Sequence, residues 1–146
     1  MQTFLPLPDF WQSAQVLDDD RLGKQRSETQ IIWKTLTGVY LREGKRGWPH
    51  HPATRMWTGY ETALLHYGVA VCFEWRQRGK RDETKSWFLE RLDWTKPLVM
   101  PPWFGNEDFH RSHRSNLLRK RPDWYRAFWP HERDDLPYVW PEVSDE

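Results

Sequence analysis

Apolar side chains recur along the chain at intervals of three and four residues, the spacing of one face of an α-helix. This pattern predicts a first long helix that starts at Asp18 or Asp19 and ends before Gly38. A second segment, between Pro52 and Gly79, carries the most continuous apolar stripe and is predicted to be the central core helix. Helical signals are stronger than strand signals along the whole chain.

Shorter helices are predicted where a capping residue or a proline marks an end: Asp9 to Leu17, 83–92, Asn106 to Arg121, and 123–129. Residues 38–51 are rich in glycine and basic side chains, which predicts a mobile basic loop. Residues 95–106 contain three prolines and predict an ordered irregular loop. We therefore expect a mainly α, compact single-domain fold of four or five helices with long ordered loops and no significant sheet.

Length and cysteine content narrow the class of protein. A chain of 146 residues forms one domain and can bury a core without a metal or a disulfide. The single cysteine, Cys72, excludes a disulfide framework and a cysteine-based zinc site. No apolar run approaches the roughly 18 to 20 residues of a membrane span, and the first ten residues lack the layout of a secretory signal. These features predict a cytoplasmic protein without a membrane segment.

The formal net charge of +1 conceals an uneven distribution. Residues 42–81 carry eight basic and three acidic side chains, and residues 111–130 carry six and one. Residues 131–146 reverse the balance, with one basic and six acidic side chains. We interpret residues 1–130 as the helical domain and 131–146 as an acidic C-terminal tail. The asymmetry allows a local anion-binding face, and it suggests the hypothesis that the tail covers that face as a mimic of phosphate.

The most suggestive segment for function combines basic and aromatic residues between positions 110 and 126: His110, Arg111, His113, Arg114, Asn116, Arg119, Lys120, Arg121, Trp124, Tyr125 and Arg126. Arginine, lysine and amide groups bind phosphates, and aromatic faces stack on unpaired bases, at roughly 1 to 3 kcal/mol per base. The segment therefore indicates nucleic-acid binding. The alternative interpretation is a solvated helix face followed by core aromatics.

A second candidate site lies on the first long helix. Arg21, Lys24 and Glu28 are spaced i, i+3, i+7 and share one helix face, with Arg26 nearby. The cations would hold Glu28 ionised, ready to accept a proton or to stabilise a developing iminium or oxocarbenium ion. The alternative is a surface ion pair between Lys24 and Glu28.

The histidine pairs leave a third possibility open. His50 and His51, together with His110 and His113, could bind a metal or serve a nuclease as acid and base, because histidines at i, i+3 share a helix face. The sequence contains no HExxH motif and no cysteine partner, and a histidine pair before a proline is typical of turns. We expect no metal and no other cofactor.

Four segments in order along the chain carry a resemblance: RLGKQRSE, HPATRMWTGYE, RQRG and KRPDWY. Through these four segments, the chain resembles the pyrimidine-dimer DNA glycosylase family, the family of phage endonuclease V. The RPxWY pattern is the most specific match. Residues 38–50 and 131–146 have no counterpart in this resemblance.

The resemblance implies a compact helical fold without a metal, and two coupled activities, base excision and cleavage of the strand at the abasic site. It also implies that the α-amine at the chain start attacks C1′ of the damaged nucleotide and that a glutamate assists. Carried over, the glutamate is Glu28, and the residues that accompany it are Arg26 and Arg21. The bulky Gln2 after Met1 normally leaves Met1 in place, so Met1 supplies the amine, or unusual processing exposes Thr3, or the nucleophile is lost; of these we predict Met1.

We therefore predict a metal-independent DNA glycosylase with abasic-site lyase activity, with Met1, Glu28 and Arg26 as catalytic residues. Its predicted partner is double-stranded DNA with a damaged or modified base, bound by a monomer in the cytoplasm that is nucleoid-associated on DNA. The predicted DNA contacts are Arg21, Lys24, His51, His113, Arg114, Asn116, Arg119, Lys120, Arg121, Trp124 and Tyr125. The alternatives are a DNA-binding module of the same fold without the chemistry, a histidine-dependent nuclease, and an interaction protein whose tryptophans are all core.

Overall fold

The computed structural model describes residues 1–142, so the last four residues of the predicted acidic tail lie outside the described part. The described residues form helices and no strand: α1 (Phe10–Val16), α2 (Asp19–Leu36), α3 (Val39–Arg42), α4 (Pro52–Arg55), α5 (Glu61–Gln77), α6 (Lys85–Arg91), α7 (Glu107–Lys120) and α8 (Pro122–Tyr125). The mainly α class is confirmed. The expected count of four or five helices was too low. Helix α3 lies in the segment predicted to be a loop, and the segment predicted as one helix from Pro52 contains both α4 and α5, whereas α8 overlaps the short helix predicted at 123–129.

The predicted caps mark the starts of three helices. The side chains of Asp9, Asp18 and Asn106 accept hydrogen bonds from backbone N–H groups in the first turns of α1, α2 and α7. Each cap satisfies a backbone donor that has no partner inside the helix. Because capping depends on residues only two or three positions apart, these starts could be predicted from the sequence.

Helix α5 is the centre of the fold and packs against α1, α2 and α6. The predicted segment from Pro52 to Gly79 contains two helices, because the chain turns after α4 with Gly59 at φ 85°. A Cβ atom at Gly68 would lie 2.4 Å from Cε1 of Phe88, so this glycine lets α6 approach α5 closely. Burial raises the pKa of the Cys72 thiol in the same helix, which leaves this cysteine unreactive.

The first seven residues, here called the N-terminal segment, run through the interior of the protein, where residues 2–6 are buried. Their backbone groups are bonded to side chains of α7. Leu5 N–H donates to Nδ1 of His113 at 2.9 Å, and the Leu5 carbonyl accepts from Nδ1 of His110 at 2.8 Å. The Pro6 carbonyl accepts from Nη1 of Arg114 at 2.8 Å. Side chains of α7 therefore fix the path of the chain start.

Residues 131–142, here called the C-terminal strap, lie along the other side of α7. Leu136 N–H donates to Oγ of Ser115 at 3.0 Å, and Val139 N–H donates to Oγ of Ser112 at 3.1 Å. Nδ2 of Asn116 donates to the Leu136 carbonyl at 3.1 Å. The described part of the predicted acidic tail is thus packed on the helical domain, although it contains no helix.

The long loops differ in how they are held. Within residues 95–106, Nε1 of Trp103 donates to the Met56 carbonyl at 3.0 Å, and Trp103 and Phe104 pack against the core, as expected of an ordered irregular loop. Residues 38–51 contain α3 and are largely exposed. None of the helices in the described range is both long enough and apolar enough to cross a membrane.

Candidate active site

An open cleft of about 410 Å³ lies where the N-terminal segment meets α2, the end of α7 and the C-terminal strap. Nine residues line it: Met1, Gln2, Phe4, Asp20, Arg21, Lys24, Glu28, Lys120 and Tyr138. The cleft brings together five of the residues predicted from the sequence, namely Met1, Arg21, Lys24, Glu28 and Lys120. It therefore unites the chain start with the polar face of the first long helix.

The geometry of an α-helix explains which residues of α2 reach the cleft. Each residue turns an α-helix by about 100°, so residues three, four and seven positions apart lie on one side. Arg21, Lys24 and Glu28 therefore share one face. Arg26 lies on another face, where its Nη1 donates to Oδ1 of Asp82 at 2.8 Å and its guanidinium covers the ring of Trp75 at 4.5 Å. The structure therefore corrects the prediction for Arg26, which holds α2 to the segment before α6 and does not line the cleft.

One buried amide connects the chain start to Glu28. Nε2 of Gln25 donates to the Gln2 carbonyl at 2.8 Å and to Oε2 of Glu28 at 3.1 Å. Oε1 of the same amide accepts from Phe4 N–H at 3.0 Å, and the Tyr67 hydroxyl lies 2.7 Å from it. Both hydrogens and the oxygen of the Gln25 amide are thus engaged. The first residues of the chain and the Glu28 carboxylate are held in one hydrogen-bond network.

His51 lies close to the first residue of the chain. Burial, and then the positive charge of the Met1 ammonium, lower the pKa of His51, so its ring is neutral at neutral pH. Nδ1 of this ring accepts from Ala53 N–H at 3.0 Å, which leaves the proton of the neutral ring on Nε2. The Met1 side chain is held on the same side by Thr54, whose hydroxyl is 3.7 Å from the Met1 sulfur.

The wall opposite α2 is formed by Lys120 and Tyr138. Nζ of Lys120 donates to the Tyr138 hydroxyl at 3.1 Å and lies 5.1 Å from the centre of the Phe4 ring. Burial raises the pKa of Tyr138 to about 12, so its hydroxyl stays protonated at neutral pH. With Arg21 and Lys24 on α2, the cleft presents three basic side chains beside the carboxylates of Glu28 and Asp20, a charge pattern that suits a phosphate-flanked substrate.

Four of the predicted DNA contacts lie inside the protein: His113, Arg114, Asn116 and Tyr125. Residues 112–118 of α7 are all buried, because the N-terminal segment and the C-terminal strap cover this helix from two sides. The sequence interpretation assigned these side chains to nucleic-acid binding, which requires that DNA can reach them. The structure corrects it, and these four side chains serve the fold.

The buried residues of α7 make identifiable contacts. Burial lowers the pKa of His113 to about 3, so its ring is neutral and accepts the Leu5 N–H. Nε of Arg114 donates to Oε2 of Glu132 at 2.9 Å. Nδ2 of Asn116 donates to the carbonyl of Ser112 at 2.7 Å, in addition to its bond to the C-terminal strap. These contacts hold the N-terminal segment and the C-terminal strap against α7.

The tryptophan and tyrosine of the RPxWY pattern join α8 to the region where α1 ends and α2 begins. The Tyr125 hydroxyl donates to Oδ1 of Asp18 and accepts from Asp18 N–H. Nε1 of Trp124 donates to the Val16 carbonyl at 2.8 Å. Neither residue lines the cleft. Tyr125 is buried and Trp124 is partly buried, so both predicted DNA contacts are tied into the fold by these hydrogen bonds.

The two remaining predicted DNA contacts, Arg119 and Arg121, flank the cleft. Nη1 of Arg119 donates to the Asp134 carbonyl at 2.8 Å, and the side chain is exposed. Arg121 is partly exposed and pairs with Asp18 at 3.5 Å and with Asp123 at 3.1 Å. Both arginines adjoin Lys120 in the chain and retain access to solvent.

The histidine pairs are not assembled into a metal centre. Within residues 1–142, no group of three or more histidine, cysteine or acidic side chains is arranged to hold a metal ion. Both ring nitrogens of His110 are engaged, since Nδ1 donates to the Leu5 carbonyl and Nε2 accepts from Gly105 N–H at 2.9 Å. His110 and His113 therefore belong to the interior of the fold.

A sequence model of the pyrimidine dimer DNA glycosylase family matches residues 1–88. The chain belongs to this family. The matched residues include the N-terminal segment and the whole of α2, and so contain Met1, Gln25 and Glu28. Membership gives the protein a DNA glycosylase type of function with DNA as its partner. Searches of curated proteins and of solved structures found no match.

The prediction from the sequence missed five residues of the site: Gln2, Phe4, Asp20, Gln25 and Tyr138. Gln25 had a usable signal, because its amide interrupts the buried stripe of α2 between Leu22 and Thr29, and a buried amide needs hydrogen-bond partners. Tyr138 had no such signal, since its segment has no periodicity. Only the tertiary fold brings this residue against α7.

Proposed function

We propose that this protein is a metal-independent DNA glycosylase with abasic-site lyase activity, acting on damaged or modified bases of the pyrimidine-dimer type in double-stranded DNA. The α-amine of Met1 is the nucleophile, and Glu28 is its acid–base and electrostatic partner. We further propose that it acts as a monomer in the cytoplasm. The observation that carries the proposal is the Gln25 amide, which bonds both the Gln2 carbonyl and the Glu28 carboxylate.

The proposed chemistry suits an α-amine beside a carboxylate. An α-amine has a pKa of about 8, roughly two units below that of lysine, so a useful fraction is neutral at physiological pH. Its nitrogen attacks C1′ of the target nucleotide, and the bond from C1′ to the base breaks as the base leaves with the electron pair and a proton. The sugar ring then opens as O4′ takes a proton from solvent. The nitrogen keeps its second hydrogen, which gives a protonated imine whose positive charge the Glu28 carboxylate stabilises.

Strand cleavage follows from the same imine. A base removes the proton at C2′, and the bond between C3′ and its oxygen breaks, with the 3′ phosphate as the leaving group. Water then hydrolyses the imine and frees the amine. Glu28 is the carboxylate of the cleft placed to accept the C2′ proton, because Gln25 bonds it to the residue next to the nucleophile.

The cations of the cleft supply the binding energy for DNA. Arg21, Lys24 and Lys120 line the cleft and would neutralise phosphates on either side of an extruded nucleotide. Arg119 and Arg121 would extend this contact along the backbone. A nucleotide must leave the base stack to reach Met1, and a damaged or unpaired base does so at lower cost than an intact pair.

Borohydride trapping on duplex DNA with one abasic site tests the nucleophile. We expect a covalent adduct that peptide mass spectrometry locates at the α-amine of Met1, and intact mass measurement should show that Met1 is retained. A duplex with a single cyclobutane pyrimidine dimer then tests base excision. Absence of any adduct while DNA binding remains intact would overturn the proposed chemistry and leave a DNA-binding module.

Replacement of Glu28 tests the second half of the proposal. We expect Glu28→Gln to reduce excision by about 10²- to 10⁴-fold, the usual contribution of a general acid–base group, with DNA affinity largely unchanged. Glu90→Gln, at an exposed position of α6, is the matched control and should retain full activity. Full activity of Glu28→Gln under single-turnover conditions would show that this carboxylate has no part in the reaction.

A further inference from the structure

The cleft contains a second amine besides the α-amine of Met1. Lys120 is the last residue of α7, and its side chain lines the same cleft as Met1 and Glu28. It lies outside residues 1–88, the part of the chain that the family model matches. Sequence reasoning treated Lys120 as one phosphate contact among several, because nothing in the sequence links it to the chain start.

The contacts of Lys120 differ from those of lysines on the protein surface. Among the described residues, no carboxylate lies within ion-pair distance of its Nζ, whereas Lys34 and Lys80 pair with Glu43 and Asp19. The Lys120 amine lies instead beside two aromatic rings, at 5.1 Å from the centre of Phe4 and 5.6 Å from that of Tyr138.

This environment favours the neutral amine more than open solvent does. Partial burial, and then the charges of Arg21 and Arg119, lower the pKa of Lys120, while Glu28 opposes the shift. The Tyr138 hydroxyl at 3.1 Å accepts a hydrogen bond from the ammonium and can donate one to the neutral amine. The side chain is exposed, so the amine can reach a nucleotide held in the cleft.

We propose that Lys120 is a second imine-forming residue, whose ε-amine captures the aldehyde of an abasic site when the α-amine of Met1 is not free. This inference rests on the proposed function, since both amines act on the same C1′ atom. The neutral Nζ adds to C1′ of the open-chain sugar and gives a carbinolamine. Loss of the hydroxyl as water, with one proton from nitrogen, leaves the imine. Strand cleavage and hydrolysis then proceed as they do from the α-amine.

The test removes the α-amine without altering lysines. Transamination with pyridoxal phosphate converts the Met1 α-amine to a ketone, and the modified protein is then trapped with borohydride on abasic-site DNA. We expect an adduct on the peptide that contains Lys120. Lys120→Arg, which keeps the charge but cannot form the imine, should lose this adduct, and Lys96→Arg, an exposed lysine outside the cleft, should keep it.

A chemical rescue distinguishes the amine from a structural role of the side chain. Lys120→Cys followed by alkylation with bromoethylamine restores an amine of nearly the same length, and it should restore trapping in the transaminated protein. Cys72 is buried with a raised pKa, so it should remain unmodified in the same reaction. Circular dichroism and DNA affinity of each variant verify that folding and binding persist.

The outcomes separate the two proposals. An adduct at Met1 in the native protein, with none in the transaminated protein that still binds DNA, would overturn the role of Lys120 and leave the proposed function intact. An adduct at Lys120 in both proteins, with none at Met1, would support the role of Lys120 and overturn Met1 as nucleophile. A trapped lysine other than Lys120 would overturn the assignment.

Discussion

At the scale of single residues, Gln25 determines how the chain start meets Glu28. An amide has one acceptor and two donor hydrogens, so it can bond a backbone carbonyl, a backbone N–H and a carboxylate together. Gln25 does this from the buried side of α2, with only 1% of its surface exposed. A carboxylate at position 25 could not donate to the Gln2 carbonyl or to Glu28. An aliphatic side chain there would leave the Gln2 carbonyl, the Phe4 N–H and the Glu28 carboxylate without this partner.

We predict that Gln25→Ala lowers the free energy of unfolding by about 1–3 kcal/mol for each buried group that loses its partner, chiefly the Gln2 carbonyl and the Phe4 N–H. Imine trapping should fall more than DNA affinity, because the cations of the cleft remain. Urea unfolding and trapping yield measure the two effects. Gln15→Ala, at an exposed position of α1, is the control, and equal losses in both variants would contradict this role for Gln25.

At the scale of elements, the N-terminal segment behaves as part of the core. Its residues lie between α2 and α7, and His110 and His113 bond the two backbone groups of Leu5. His113 can accept the Leu5 N–H only while Nδ1 is unprotonated. The path of the chain start therefore depends on a neutral histidine.

This dependence predicts a loss of stability in acid. In the unfolded chain a histidine titrates near pH 6.5, whereas burial lowers the pKa of His113 in the folded protein to about 3. Between these values only the unfolded state binds the proton, so the stabilisation is complete above pH 6.5 and is lost as the pH falls toward 3. We expect a decrease of about 2 kcal/mol in unfolding free energy between pH 7 and pH 5 from this group.

Urea titrations at both pH values, on the native protein and on His113→Asn, measure this effect. Asparagine can accept the Leu5 N–H but does not titrate, so the variant should show a smaller pH dependence even where it is less stable overall. His131→Asn, at an exposed position, should keep the native dependence. The same pH dependence in all three proteins would show that His113 is not responsible.

At the scale of the whole molecule, the charge of the basic residues 111–130 is partly neutralised by acidic side chains of the C-terminal strap. Much of the basic charge of α7 and α8 faces the C-terminal strap: Arg111 and Arg114 pair with Glu132, and Arg126 pairs with Asp134 at 3.5 Å. The strap also places Tyr138 against Lys120. These contacts favour a structural role for residues 131–142 over the hypothesis that they cover the DNA-binding face.

Truncation after Pro130 tests this interpretation. We predict a lower free energy of unfolding, by at least the roughly 1–3 kcal/mol expected when buried polar groups such as the Arg114 guanidinium and the Asn116 amide lose partners. We also expect weaker trapping, because Tyr138 is removed from the cleft, and no gain in DNA affinity. A chain that ends at Glu142 is the control. Tighter DNA binding by the folded truncated protein would instead support autoinhibition.

The sequence alone determined the helical class, the capped starts of three helices and the shared face of Arg21, Lys24 and Glu28. These features depend on residues within about two turns of one another, where the period of the helix decides which side chains meet. The start of α2 and its polar face could therefore be predicted, and so could the apolar stripe of the central core helix.

Only the tertiary structure decided which remote segments complete the site. The burial of His113 and Asn116, the pairing of Arg26 with Asp82 and the presence of Lys120 in the same cleft as Met1 all depend on contacts between residues far apart in the chain. No local period encodes such contacts, because they follow from the packing of the N-terminal segment and the C-terminal strap against α7. The charge of each segment could be counted from the sequence, but the fold determined which groups its charged side chains pair with.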